Sequence, residues 1–404
     1  MTQKPWAQTL RATAMSAPLL IAERYARVSH ICRNAAERDE PAVIDAGREP
    51  RDPVLYLESH EEAFLNAVLK AVTLGRLDLA ADIARNLGML YETRSQLAQR
   101  FVDRWDEILC LVSDAAAEAP DDITRAVVLV LLARRQRVRN QWAAAHAKAA
   151  EALAWCAART EDENQVRLLE AEACEIMGEI YRSYGSPSDL DDAIAHFRRG
   201  LSCVARADAG QWEKRRAELQ LRDRLGYALY LRGDHQLAVA ELARSIRLHG
   251  GASTNPSELS RTLNNLGKVL GARGRRRAAH RCFQCSLDIK RARGDERGEA
   301  VCHHEIGLLH RTDGEPQRAI EKLVQSLRIK RKIDDKHGIG LSYMELGFTF
   351  EVLGDHCTAE KYFKDAVLFL TPQSAQYARV KAHVTARTLD VGDLESAKSG
   401  AIRQ

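Results

Sequence analysis

Aromatic residues make up only 6% of the 404 residues, which argues against a large aromatic-packed β core. Proline is scarce at 10 and glycine modest at 24; the abundant Ala, Leu, Arg and Glu favour helix. No run approaches the ~20 apolar residues that span a bilayer, and the apolar piece at 17–22 is too short for a signal-peptide core. Acids are missing from residues 1–22, which carry Lys4 and Arg11, so a mitochondrial presequence stays open beside the expected cytoplasmic location. An excess of one charge is missing too. With 60 basic and 56 acidic residues the net charge is +4, and no global pull toward nucleic acid or membrane follows. The 9 cysteines are irregularly spaced along expected helices, unlike a secreted disulfide framework, and are read as reduced thiols.

Catalytic and metal motifs are also absent. No G-x-x-x-x-G-K-[ST] loop occurs; Gly267-Lys268 lacks the upstream glycine and is followed by Val269. His304-Glu305 starts like H-E-x-x-H, but Leu308 stands where the second histidine belongs. No G-x-S-x-G elbow is found. The best zinc candidate is Cys282 and Cys285 with Cys302. The repeat register described next accounts for the residues around these thiols, so they are expected to be packing residues. The reading is therefore no catalytic residue, no metal and no cofactor.

What the chain does have is an internal repeat. Leu266-Gly267, Ile306-Gly307 and Leu346-Gly347 are spaced by 40 residues. Seven residues on comes a second glycine, at Gly274, Gly314 and Gly354. A small residue follows at Ala279, Ala319 and Ala359, then a bulky one at Phe283, Leu323 and Phe363. The first glycine allows close approach of two helices. The second supplies the left-handed residue that ends a helix. The small residue marks the helix crossing, and the bulky one is expected to fill the space between one pair and the next. Weaker copies start at Leu225-Gly226, Met177-Gly178, Leu132-Ala133 and Leu87-Gly88, with Asn140 in the turn-glycine place of the third. A first helix is predicted over Glu61–Thr73 and another near 96–116. Such pairs cannot bury their apolar faces alone and must stack.

This pattern resembles the tetratricopeptide repeat family, in the form of about forty residues found in kinesin light chains and in helical sensor regions of bacterial regulators. It is also similar to the tail of STAND-type signalling ATPases, without their nucleotide-binding module. The resemblance implies an all-α fold, a right-handed superhelical α-solenoid of seven to eight stacked helix hairpins. The organisation expected is an N-terminal helix (17–37) and proline-containing linker over 1–57, the solenoid over 58–373, and a degraded repeat or cap over 374–404.

The first helices (A) of stacked pairs line a concave surface. The resemblance implies that this groove holds a partner polypeptide through Asp223, Arg224, Tyr227 and Tyr230, then Asn264, Asn265 and Lys268, then His304, Leu308 and Arg311, then Met344, Phe348 and Glu351. Asn265 stands where related repeats bond a peptide backbone with an amide, which both donates and accepts. The function expected is a non-enzymatic interaction adaptor in a signalling or regulatory complex. The alternative is a peptide-sensing regulator similar to the bacterial Rap type, whose solenoid changes shape on binding. The basic turn Arg273, Arg275, Arg276 and Arg277 is read as a solvated turn. A nucleic-acid contact there is the weaker reading, since no aromatics interleave with it.

Overall fold

A computed structural model describes residues 21–32, 56, 59–93, 99–117, 123–159, 164–249, 256–372 and 374–385. Among the described residues are 17 helices and no strand. Helix α1 covers residues 21–32, followed by α2 Glu61–Thr73, α3 Leu77–Thr93, α4 Gln99–Ala117, α5 Ile123–Val138 and α6 Trp142–Ala157. Next are α7 Asn164–Tyr184, α8 Pro187–Arg206, α9 Gln211–Arg232, α10 His235–Leu248 and α11 Pro256–Ala272. The last are α12 Arg276–Ala292, α13 Glu296–Thr312, α14 Pro316–Lys332, α15 Lys336–Val352, α16 His356–Phe369 and α17 Ala375–Thr385. The chain is an all-α helical repeat solenoid. From α3 to α16 the helices pair as seven hairpins, and α17 stands where an eighth would begin. The remainder of the helix predicted at 17–37, the linker prolines Pro41, Pro50 and Pro53, and residues 386–404 lie outside the described residues.

The chain divides into two compact units, Met1–Glu258 and Leu259–Gln404. In the first, Ala22, Val28 and Cys32 of α1 join the core made by Phe64, Val68, Ile83 and Trp105. That core leads into a second, where Val130 and Ala149 meet Ile176 and Ile180. In the second unit, Phe283 and Leu287 pack with Cys302 and Ile306, and α17 adds Val380 and Val384 to the core of Leu346, Phe363 and Val367. Each fully buried Leu or Phe contributes roughly 1.5–3 kcal/mol.

The repeat motif works through a notch. A Cβ added at Gly267 would lie 2.6 Å from the Phe283 ring, one at Gly347 2.6 Å from Phe363, and one at Gly226 2.6 Å from Leu242. The bulky residue therefore presses onto the glycine of its own hairpin. It also reaches the next one, as Phe283 does by sharing a core with Cys302 and Ile306. The expectation of a filler between pairs captured only that second contact. Turn residues Gly274, Gly314 and Gly354 have φ of +71°, +76° and +79°, and Asn140 has +59°, so each ends its helix in the left-handed conformation.

Two further periodic devices were not singled out in the sequence. Ser245, Ser286 and Ser326 donate across their hairpins to the carbonyls of Leu219, Ser260 and Ala300, at 3.3, 2.7 and 2.7 Å. Asp295, Asp335 and Asp355 cap the following helices by accepting from the N–H groups of Gly298, Gly338 and Thr358.

Candidate functional site

In the first unit, the A helices α3, α5, α7 and α9 enclose a cavity of about 510 Å³, and every residue lining it belongs to one of the four. Alternate helices of a hairpin stack run the same way, so the cavity has a consistent direction. Near the helix N-termini lie Asp78, Ile123, Leu168 and Glu213; toward the C-termini lie Arg85, Arg134, Glu175 and Leu221. Its walls thus carry charged side chains along their whole length, with Ala81, Val127, Leu169 and Ala217 among them.

The C-terminal end runs into an ionic layer. Arg224 of α9 reaches Glu175 of α7 at 2.7 Å and Glu179 at 3.7 Å. Arg182 pairs with Glu179 at 2.9 Å. Looser contacts of 3.8–3.9 Å join Arg85 and Arg134 to Glu172, Arg134 to Glu175, and Arg137 to Glu179. Burial pushes the carboxyls of Glu175 and Glu179 up, but the surrounding guanidiniums, led by Arg224, outweigh it. Both end below the usual carboxylate range, Glu179 at about 2.

The second unit repeats the arrangement on a smaller scale. Lys268 of α11 meets Glu305 of α13 at 3.0 Å, and Arg311 of α13 meets Glu345 of α15 at 2.6 Å. Phe348 lies under Arg311 and Arg379, at 5.8 and 4.3 Å from its centroid. His383 of α17 closes on Glu351 at 2.7 Å. His304 is held neutral: burial, then the positive charges of Lys330, Lys268 and Arg311, push its pKa well below the ordinary value. Its Nδ1, the Nε of Arg311 and the Oδ1 of Asn264 are buried without a hydrogen-bond partner.

The groove residues named from the sequence therefore fall in both units. Asp223, Arg224, Tyr227 and Tyr230 share α9, where Tyr227 sits under Arg182 at 5.4 Å. Lys268, Arg311, Phe348 and Glu351 are drawn into the contacts just described, and Asn265, His304 and Leu308 are partly exposed. Asp223 (2% exposed), Asn264 (7%) and Met344 (3%) are buried, Met344 in the apolar core of the second unit. In the basic turn, Arg273, Arg275 and Arg277 are exposed. Arg276 is spent on the next turn, pairing with Asp313 at 2.5 Å and donating to the Thr312 carbonyl at 3.2 Å. Cys302 is buried, 3.3 Å from Ser286 Oγ. Among the described residues no group of His, Cys, Asp and Glu is arranged to hold a metal ion.

Sequence reasoning missed Arg85, Arg134, Arg137, Glu175, Glu179 and Arg182. The signal was available. Downstream, the groove positions lie three before, one after and four after the repeat glycine. The same offsets from Gly178 give Glu175, Glu179 and Arg182; from Ala133 they give Arg134 and Arg137, and from Gly88 they give Arg85.

Residues 215–292 and 259–332 match the family profile of the tetratricopeptide repeat. The transcriptional activator NprA of Geobacillus stearothermophilus is 26% identical over 118 residues, 29% of this chain. The match spans about a quarter of the length of that relative, 27%. Among solved structures, aspartyl phosphate phosphatase F from Bacillus subtilis superposes with a TM-score of 0.54 at 13% identity, over 88% of this chain and 95% of that one. The apo form of RapI gives 0.53 at 14% identity, over 69% and 93%. At these identities the likeness is one of fold. Among the described residues no helix is long and apolar enough to cross a membrane.

Proposed function

We propose, for a chain that carries tetratricopeptide repeats, a non-enzymatic role in which the A-helix faces hold a segment of a partner polypeptide within a regulatory complex. Such repeats are typically non-catalytic scaffolds. The observation that carries the reading is the concentration of polar chemistry on one kind of helix. The cavity of the first unit is lined by A helices throughout, and the orphaned polar atoms of Asn264, His304 and Arg311 lie on A helices of the second. Buried polar groups without partners are costly, and a bound backbone or side chain relieves that cost. In this reading Asp223, Arg224, Tyr227, Tyr230, Asn264, Asn265, Lys268, His304, Leu308, Arg311, Phe348 and Glu351 form or support the contact faces. The reading puts the chain in a reducing cytoplasm, where its nine cysteines, none of them disulfide-bonded, stay thiols.

The test is site-specific photo-crosslinking in the native cell. A photoreactive residue at Leu308 or Asn265 should capture one polypeptide reproducibly. The same group at the exposed Arg281 on the B helix α12 should not. Equal capture from both faces, or none from the A face, rejects the proposal.

A second reading draws on the cavity of the first unit, whose size suits a small ligand. In it the chain is a peptide-sensing regulator, and ligand entry shifts the packing of α3, α5, α7 and α9.

A further inference from the structure

Two B helices of the second unit carry an excess of positive charge that the other B helices lack. On α12 five Lys and Arg stand against one acid, Asp288, and on α14 six stand against one, Glu321. The counts balance on α6, α8 and α16, differ by one on α10, and favour acids on α4. Lys290 and Lys330 turn inward, to Asp295 at 3.1 Å and Ser342 at 3.0 Å. The others lie at the surface, exposed or, for Lys322, half-buried. Arg277 with Arg281, Arg318 with Lys322, and Arg328 with Lys332 are like charges four residues apart, and each such pair mildly destabilises its own helix.

The cations fall into two belts. Arg277, Arg281 and Arg318 lie toward the helix N-termini, and Arg291, Arg328 and Lys332 toward the C-termini. B helices of a hairpin stack run the same way, so each belt continues from α12 to α14. Ten to fourteen residues separate the belts along each helix, about 15–21 Å. Lys322 links the two helices: burial, then the charges of His310 and Lys322, lower the pKa of His280 on α12. Acids at the margins are already engaged, Asp313 with Arg276 at 2.5 Å, Glu315 with Arg318 at 3.1 Å and Glu299 with Arg291 at 2.8 Å. Among the described residues Arg277, Arg281 and Arg328 hold no ion pair.

The rest of the face limits what polyanion fits it. Between the belts stand Gln284 and Asp288 on α12 and Gln325 on α14. Among the described residues of the two helices, Val324 is the one large apolar side chain that is exposed, and the aromatic Phe283 is buried. A lipid surface takes up apolar side chains, a protein interface has an apolar or aromatic core, and a single strand stacks on aromatic rings; this face offers none of these. Arginines outnumber lysines in the belts, and the guanidinium fork matches phosphate oxygens. B-form DNA sets a row of phosphates on each side of a major groove about 12 Å wide, which the belt spacing straddles. The A-form major groove is narrower. We infer that the outer face of α12 and α14 binds the phosphate backbone of double-stranded DNA, one belt to each strand flanking a major groove. It uses B helices alone, so the A-helix faces stay available to a partner polypeptide and the two readings stand or fall separately.

The experiment is fluorescence anisotropy of a short DNA duplex of arbitrary sequence, titrated with the full-length chain over a range of salt concentrations. Log affinity should fall against log salt with a slope of about −5, the value for five to six neutralised phosphates. Arg277→Gln with Arg281→Gln should weaken binding about tenfold and flatten the slope by about 2. Arg328→Gln with Lys332→Gln should do the same from the other belt. Lys361→Gln with Lys364→Gln removes the same charge from exposed positions on α16 and should leave both readings within about twofold. Circular dichroism melts confirm that each variant is folded. No binding at low salt, or a loss in the α16 variant equal to that in the belt variants, overturns the inference. Double-stranded RNA, phosphatidylserine vesicles and polyglutamate, at matched charge, should each displace the duplex at least about tenfold less well than unlabelled DNA. Displacement by any of them at the potency of DNA overturns DNA as the partner.

Discussion

Arg224 on α9 and Glu175 on α7 meet at 2.7 Å, with side chains only 15% and 9% exposed. The pair ties two consecutive repeats together across their inner face, and neither charge has bulk water to fall back on. Breaking such a pair from one side leaves a buried charge unmatched, which costs about 3–5 kcal/mol. Arg224→Met should lower the denaturant midpoint accordingly, and Arg224→Met with Glu175→Leu should recover most of the loss. A double variant as unstable as the single one would show that Arg134 and Glu179, which each lose a partner with it, depend on this pair as well.

Two neighbouring glycines on α11 should respond in opposite directions. At Gly267 a methyl group would sit 2.6 Å from the Phe283 ring; Gly267→Ala should cost about 1–3 kcal/mol through overpacking. At Gly271 the nearest atom, on Leu309, is 3.6 Å away, an ordinary contact. There Gly271→Ala should gain up to about 1 kcal/mol from helix propensity. Thermal melts of the two variants side by side are the check.

Acid should unfold the chain partly through Glu179. Its carboxyl has an ordinary value of 4.5 and sits at about 2 in the fold. A depressed folded value contributes stability that is complete above 4.5 and is lost as pH falls from 4.5 to about 2, roughly 3 kcal/mol in all. Glu179→Gln should be less stable at pH 7 and show a shallower loss across that window. An identical slope in both proteins would assign the acid transition to other groups.

Lys330 makes the corresponding alkaline prediction. It is 4% exposed, and its Nζ donates to Ser342 Oγ at 3.0 Å. Burial pushes its pKa down from 10.5 to about 8, against the pull of Asp335 and Glu305. Between those values the unfolded chain holds the proton and the folded one does not, so the Lys330 contribution to stability rises with pH from 8 to 10.5. Lys330→Met should raise the melting temperature at pH 7 and remove that contribution. The difference between the two proteins isolates it from thiol ionisation.

Much of the fold was legible because its rules act within one hairpin. The forty-residue spacing of Gly267, Gly307 and Gly347 placed the A helices. Gly274, Gly314 and Gly354 placed their ends, and Glu61–Thr73 emerged with the limits read from its apolar pattern. Asp334 shows where that legibility stops. It adopts φ of +52° in the turn from α14 to α15, where the preceding repeat uses Gly294 at +65°. Aspartate enters this conformation less readily than glycine, so the alignment of turns gives it away more than the residue type does.

The groove was legible in register but not in content. Offsets from the repeat glycine named Lys268, Arg311 and Phe348. The charge layer around Glu175 and Glu179 escaped because the degenerate upstream repeats, with Ala133 in place of a glycine, were not carried through the same offsets.

By itself the sequence determined the helices, their turns and their pairing, since helical period, glycine notches and left-handed turns are properties of a short stretch of chain. Tertiary structure alone decided which charges are buried together, which polar atoms are left without partners and where four A helices leave a cavity. Those outcomes depend on desolvation and on distances between side chains from separate repeats, and no local pattern encodes either.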